Sequence, residues 1–218
     1  MNIIVCLTGN NFSGNFLDSF SETLHYFYRR GYNFAISRKE SSNVYFVRAL
    51  ALGADVSRGE KQKPFNGTVN YDWILWIDND IVWRPKDLEA LFNTKGDIVS
   101  GLYIMSNNTQ FTAVTEWDTD YFKKNQSFKF LTREDLNLAE YKNPFEVVYV
   151  GMGFMAVRKG VYEGIDYPWF EPQTFDLGGG IKDFCSEDVG FCLKAKKAGF
   201  KIVVNPSIIV GHEKKVVL

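Results

Sequence analysis

Tyr71-Asp72-Trp73-Ile74-Leu75-Trp76-Ile77-Asp78-Asn79-Asp80 is the stretch that decides the fold. Residues 71–77 have the apolar density of a central strand buried on both faces. The run then stops on two carboxylates. In open parallel sheets, ligands lie just beyond the carboxyl ends of the strands, so Asp78 and Asp80 stand where chemistry is expected. Upstream, residues 2–7 read as a second buried strand, ended by Thr8-Gly9-Asn10-Asn11. Phe16, Phe20, Leu24, Phe27 and Tyr28 follow at spacings of three and four, the apolar stripe of a helix over 13–30 closed by Gly31. A strand over 32–37 and a helix over 43–54 complete a strand-helix-strand-helix opening. That order predicts an α/β domain with a mixed, mostly parallel sheet flanked by helices.

Downstream, Pro85 suits the first turn of a helix whose apolar face is Leu88, Leu91 and Phe92. Residues 97–103 and 147–157 read as strands, 187–198 as a helix closed by Gly199, and 201–204 as a last short strand. The polar, aromatic-dotted segment 106–144 looks like an insertion over the sheet, and 167–183, with Gly178-Gly179-Gly180, like a loop of unusual freedom. At 218 residues the chain fits one large domain, with 1–105 the nucleotide-binding half and 106–218 the acceptor-binding and catalytic half. It is equally consistent with one module of a longer polypeptide.

A net charge of −1 provides no general basic field, so nucleic acid is not an expected partner. No apolar stretch approaches the ~20 residues needed to span a bilayer, and the N-terminus lacks a signal-peptide pattern, which predicts a cytoplasmic protein. Four Asn-x-Ser/Thr sequons then read as chance matches. Cys6, Cys185 and Cys192 are too scattered for a disulfide framework or a zinc site and are expected as reduced thiols.

Two neighbouring acids at the mouth of an apolar strand need a positive partner. No Lys or Arg lies nearer in sequence than Arg84, which points to a divalent cation, Mg²⁺ or Mn²⁺, able to grip phosphate oxygens. A plain turn-capping role is the competing reading, and Pro85 places the helix start too late for it. Thr8, ending the first strand, could meet a nucleotide at the sheet edge. Arg48 reads equally as a nucleotide contact or a solvated helix charge.

The run Asp72 to Ile81, followed by Pro85-x-Asp87-Leu88, resembles the Asp-x-Asp segment of GT-A glycosyltransferases. Its flavour is that of the compact viral enzymes of phages and large DNA viruses (chlorovirus-like), whose second helix carries a Ser/Asn…Ala-Arg segment similar to Ser41-Ser42-Asn43 and Arg48. The resemblance implies that Asp80 ligates the metal directly, while Asp78 helps through ribose or a metal-bound water, with Asn79 between them at the nucleotide. Ser186-Glu187-Asp188-Val189-Gly190-Phe191 is similar to the acidic helix start of inverting members, where the last acid is the base for the acceptor hydroxyl. This implies a catalytic Asp188 with Glu187 beside it. Ordinary helix capping is the alternative. His212 matches the histidine that often completes the metal shell, which favours manganese over magnesium, and Lys214 and Lys215 then read as diphosphate partners or as a solvated basic tail. His25 reads as structural.

The activity implied is transfer of a sugar from a nucleoside-diphosphate donor, UDP-linked by the resemblance, to a hydroxyl of a glycan or glycoprotein. A sugar nucleotidyltransferase would need a Gly-rich, Arg- and Lys-bearing loop after the first strand, where this chain has Cys6 to Phe12 with neither charge. A glycoside hydrolase would set its two carboxylates on opposite sides of the scissile bond, and a carbohydrate-binding module needs no acidic pair. Gly151-Met152-Gly153 reads as a strand whose missing side chains let a sugar approach; Trp83, Trp117 and Trp169 read by default as core residues, with stacking on sugar faces as the alternative.

Overall fold

In the computed structural model, which describes residues 1–214, the first half of the chain runs β1 (Asn2–Thr8), α1 (Gly14–Arg30), β2 (Asn33–Lys39), α2 (Val44–Ala51), β3 (Trp73–Asp78), β4 (Ile81–Val82), α3 (Pro85–Asn93) and β5 (Ile98–Leu102). The insertion contributes β6 (Ala113–Val114) and α4 (Thr119–Asn125). After it come β7 (Phe145–Glu146), β8 (Tyr149–Val150), β9 (Phe154–Arg158), β10 (Thr174–Gly178), β11 (Ile181–Phe184), α5 (Glu187–Lys197), β12 (Ile202–Ile209) and β13 (Gly211–His212). Seven strands form one sheet in the order β2-β1-β3-β9-β5-β12-β7, in which only β9 and β7 run against the rest. This is the mixed, mostly parallel sheet that the sequence predicts.

Because side chains alternate along a strand, β1 and β3 divide the core into two layers. Ile4, Cys6, Ile74 and Trp76 pack on the face that carries α2 and α5, and Ile3, Val5, Leu7, Leu75 and Ile77 on the face that carries α1 and α3. Local chemistry fixes the helix ends. Ser13 Oγ accepts the Phe16 N–H at 3.0 Å to start α1, and Gly31 ends it at φ 63, a left-handed conformation that glycine adopts without steric cost. Phe16 and Phe27 drive α1 onto the sheet, each full burial stabilising the fold by about 1.5–3 kcal/mol. All three cysteines are buried free thiols, and burial pushes the Cys192 thiol up to about 12, as expected of unreactive reduced cysteines.

Three elements differ from the sequence reading. Residues 147–157 are two strands, because the chain turns at Gly151–Gly153 between β8 and β9. The supposed free loop over 167–183 contains the β10–β11 hairpin, whose tip is Gly178, Gly179 and Gly180 at φ 80, 66 and 78. The last long strand runs on past Val204 to Ile209, with a register shift that accommodates Pro206, a residue with no N–H to give the ladder. No helix among the described residues is long and apolar enough to cross a membrane.

Candidate active site

Thr8 and Asp78 close β1 and β3 in matching register, so both side chains emerge at the same carboxyl edge of the sheet. Thr8 Oγ1 donates to Asp78 Oδ1 at 2.9 Å, and Arg48 Nη2, reaching in from α2, donates to Asp78 Oδ2 at 3.1 Å. Arg48 Nε donates to Glu187 Oε1 at 3.2 Å. One guanidinium, only 3% exposed, thus ties the acidic turn after β3 to the acidic start of α5. This corrects the reading of Arg48 as a solvated charge. It also supplies a cation for Asp78 that sequence proximity concealed, since the two lie 30 residues apart.

Burial opposes the Arg48 charge, but Asp78 and Glu187 more than offset it and raise its pKa. Glu187 is buried and its carboxyl is pushed up by burial and by the charge of Asp188, which together outweigh the lowering effect of Arg48. The sign of the consequence follows directly. A carboxyl whose folded pKa is raised contributes stability below its unfolded value, near 4.5, and loses it as pH rises through the folded value. Glu187→Gln keeps an acceptor for Arg48 without the charge. Thermal melts between about pH 5 and pH 8, from just above the ordinary glutamate value to ~4 units above it, are therefore expected to show wild type losing stability relative to this variant as pH rises; parallel curves would contradict the assignment.

Asp78-Asn79-Asp80 forms the turn from β3 into β4, and α3 starts only at Pro85, so neither acid caps that helix. Pairing of β13 with β4 sets His212 opposite Ile81 and brings it to Asp80. His212 Nε2 lies 3.1 Å and Lys214 Nζ 2.9 Å from the same oxygen, Asp80 Oδ2. Burial pushes the Asp80 carboxyl up, yet hydrogen bonds from His212 and Lys214 prevail and bring it to about 2. The His212 Nδ1–H donates to the carbonyl of Ile104 at 2.7 Å, which leaves Nε2 as the nitrogen that faces Asp80. Burial works against the imidazolium, but Asp80 and the Ile104 carbonyl raise the His212 pKa and favour the charged ring, whose Nε2–H donates to Asp80. Once that proton is lost, Nε2 presents a lone pair to the carboxylate, and a cation can take the proton's place between them. A carboxylate oxygen and an imidazole nitrogen suit Mn²⁺. Among the described residues no three His, Cys, Asp or Glu side chains form a complete cage, and a metal that shares its shell with substrate phosphates needs only one or two protein ligands. The donor set fits such an ion.

Asn79 Nδ2 donates to the Asn11 carbonyl at 2.7 Å and so fastens the loop after β1. Asn11, Phe12, Ser13, Asn79, Asp80, Glu213 and Lys214 line a cavity of about 420 Å³ beside Asp80. A larger cavity, about 860 Å³, opens at the other end of the sheet around Asp97, Arg158 and Lys201 and contains none of these acids. Lys215 lies outside the described residues.

At the start of α5, Ser186 Oγ donates to Asp188 Oδ1, and Tyr149 Oη donates to Asp188 Oδ2 at 2.9 Å. Ser186 therefore spends its hydroxyl on Asp188 rather than on the helix backbone, unlike a simple cap. Gly151 and Gly153 leave room for Tyr103, not for a sugar. A Cβ at Gly151 would lie 2.2 Å from the Tyr103 hydroxyl and one at Gly153 2.8 Å from its ring. Tyr103 in turn accepts the Gly153 N–H at 3.0 Å and meets His212 edge-on. Trp83 and Trp169 are core residues, Trp83 donating to Thr23 Oγ1 at 2.8 Å, which removes both from the sugar-stacking candidates. Trp117 is half-buried against Phe128 and Phe175. His25 is exposed on α1 rather than structural. Tyr103 and Tyr149 have no sequence signal, being single tyrosines in otherwise apolar segments.

No family model and no curated sequence matches the chain. Among solved structures, the catalytic domain of Drosophila beta1,4-galactosyltransferase 7, in complex with xylobiose, is similar at a TM-score of 0.51 and 10% identity, over 98% of this chain and 71% of that one. GalNAc-T7 with UDP, GalNAc and Mn²⁺ is similar at 0.51 and 11% identity, over 99% of this chain and 43% of that one. The chain therefore has the GT-A fold of these glycosyltransferases. A glycosyltransferase involved in glycosylation of the PBCV-1 major capsid aligns over 74% of this chain and 62% of its own at 14% identity, but its TM-score of 0.35 gives no support to a viral kinship.

Proposed function

We propose that this chain is a metal-dependent glycosyltransferase that moves a sugar from a nucleoside-diphosphate donor, UDP-linked, to a hydroxyl of a glycan or glycoprotein. The observation that carries the reading is the meeting of two acidic motifs, joined by buried Arg48, at the carboxyl edge of a GT-A sheet. The similar structures, crystallised with UDP, GalNAc and Mn²⁺ or with xylobiose, support the same donor, metal and acceptor classes.

On this reading residues 1–105 bind the nucleotide, and 106–218 bind the acceptor and carry the base. Asp80 and His212 would hold Mn²⁺, which when bound neutralises charge on the departing diphosphate. Thr8 and Arg48 hold Asp78 on the nucleotide side with both its oxygens engaged, so Asp78 acts as the helper rather than the principal ligand. Lys214 is free to swing from Asp80 to the diphosphate. Asp188 takes the proton from the acceptor hydroxyl as that oxygen attacks the anomeric carbon, and Glu187, turned towards Arg48, acts through it as a positioning residue.

A thermal-shift screen of nucleoside diphosphates with and without Mn²⁺ tests the donor and the metal together. UDP with Mn²⁺ is expected to raise the melting temperature, a ligand at 100 times its Kd stabilising by about 2.7 kcal/mol, and neither alone should do so. No shift with any nucleotide would overturn the reading. Asp188→Ala is expected to keep the UDP shift and lose UDP release from UDP-sugar in the presence of acceptor, whereas full turnover would replace inversion with a retaining mechanism. Pyrophosphate release from UTP and a sugar phosphate would instead mark a nucleotidyltransferase.

A further inference from the structure

We infer that Tyr149 is the positioning residue of this enzyme's base: its buried hydroxyl fixes Asp188 from the side opposite Ser186 and transmits to it the placement of the acceptor-side insertion. The inference rests on the reading of Asp188 as base. Tyr149 Oη donates to Asp188 Oδ2 at 2.9 Å, while Ser186 Oγ and the Val189 N–H both meet Oδ1. With both oxygens held, the carboxylate has one orientation; Oδ1 accepts two hydrogen bonds and Oδ2 one, which leaves the second lone pair of Oδ2 for a proton. The side chain that holds Oδ2 is itself anchored. Tyr149 is 6% exposed, and its backbone pairs with Val114 of β6, inside the insertion. Its ring is packed by Phe128 and Phe130 of the same insertion, with centroids 6.1 and 6.2 Å away. Phe128 also touches Phe175 of the β10–β11 hairpin, so both segments expected to shape the acceptor groove converge on this tyrosine.

The remaining charged or titratable groups near Asp188 are Glu187 and Arg48, Tyr103, and the buried Cys185 and Cys192. Beside the local donors Ser186 and Val189, Tyr149 supplies the hydrogen bond to the Asp188 carboxylate that comes from across the fold. Burial and the Asp188 charge push the Tyr149 phenol well above its ordinary value, so it stays a donor throughout the working pH range. A donor to a carboxylate favours the ionised form, and its removal favours protonation.

Carboxyl ¹³C NMR of aspartate-labelled protein tests this without knowledge of the acceptor, the Asp188 signal being the one lost in Asp188→Asn. Tyr149→Phe keeps the ring packing and is expected to shift the Asp188 carboxyl signal at neutral pH, because one of its oxygens loses a hydrogen bond, with UDP affinity in Mn²⁺ unchanged. Tyr149→Met, which also lacks the hydroxyl, should shift it the same way. Where UDP-galactose or another UDP-sugar is turned over, kcat should fall about tenfold in both variants while KM for the UDP-sugar holds. A purely structural tyrosine would lower the melting temperature and leave the signal in place, and an unmoved signal in both variants overturns the inference. Wild-type UDP release by Asp188→Asn would instead overturn the base reading itself, a result separable from the NMR measurement.

Discussion

Asp80→Asn is expected to abolish the Mn²⁺ dependence of UDP binding, weakening UDP affinity in Mn²⁺ by more than ~100-fold, the upper range for loss of an outer-shell partner of a metal site. The expectation follows from Asp80 Oδ2 being the one carboxylate oxygen on which His212 and Lys214 both converge. Asparagine keeps the shape of the turn and removes the charge. Without metal the fold should hardly respond, because the Asp80 side chain is 38% exposed and pairs of that kind contribute little to stability. Calorimetric titration of UDP into both proteins, with Mn²⁺ and then with chelator, measures the effect. His212→Ala should lose part of the same affinity, and because both residues would share one ion, the double variant should lose less than the sum. Equal UDP affinity with and without Mn²⁺ in the wild type would contradict the assignment.

Arg48→Met is expected to cost the fold roughly 3–5 kcal/mol, the cost of breaking a buried ion pair from one side. In a domain of this size that is on the order of 10 °C in melting temperature. The side chains of Arg48 and Glu187 are 4% and 8% exposed, so water cannot replace the lost partner, and Asp78 loses the same support. The loss should be smaller near pH 5 than near pH 8 (~5 and ~8 bracket most of the working range). Acid protonates Glu187, whose carboxyl is already raised by burial and by Asp188, and so removes one stranded charge. Arg48→Lys keeps the charge but lacks the fork that reaches two carboxylates and should fall between. An unchanged melt in Arg48→Met would return Arg48 to the status of a dispensable helix charge.

The frame of the fold was legible because β1, β3 and α1 advertise themselves by local pattern: unbroken apolar runs, and phenylalanines at helical spacing between Ser13 and Gly31. The β10–β11 hairpin was not, since three glycines signal freedom in sequence and only the pairing of Thr174 with Phe184 turns that freedom into a tight reversal. Asp78, Asp80, Asp188 and His212 stood out because each ends or starts an element, where motif order can be read. What holds them did not stand out. Arg48 meets Glu187 across 139 residues, Thr8 meets Asp78 across 70, and Tyr149 meets Asp188 across 39. The electrostatic argument from sequence found the acids and sought one cation for both, whereas the fold gives Asp78 a guanidinium and turns Asp80 to a separate histidine and lysine. Trp83 and Trp169 follow the default for large aromatics and lie in the core, a choice between core and groove that sequence leaves open because it cannot distinguish a core ring from an exposed one.

Anomalous diffraction at the manganese edge, from crystals soaked with Mn²⁺ and UDP, tests the central claim most directly. The expected result is one strong peak within coordination distance of both Asp80 Oδ2 and His212 Nε2, with Lys214 displaced towards the diphosphate and Asp78 still bonded to Arg48. A peak elsewhere, or nucleotide bound with no metal between it and Asp80, would contradict it.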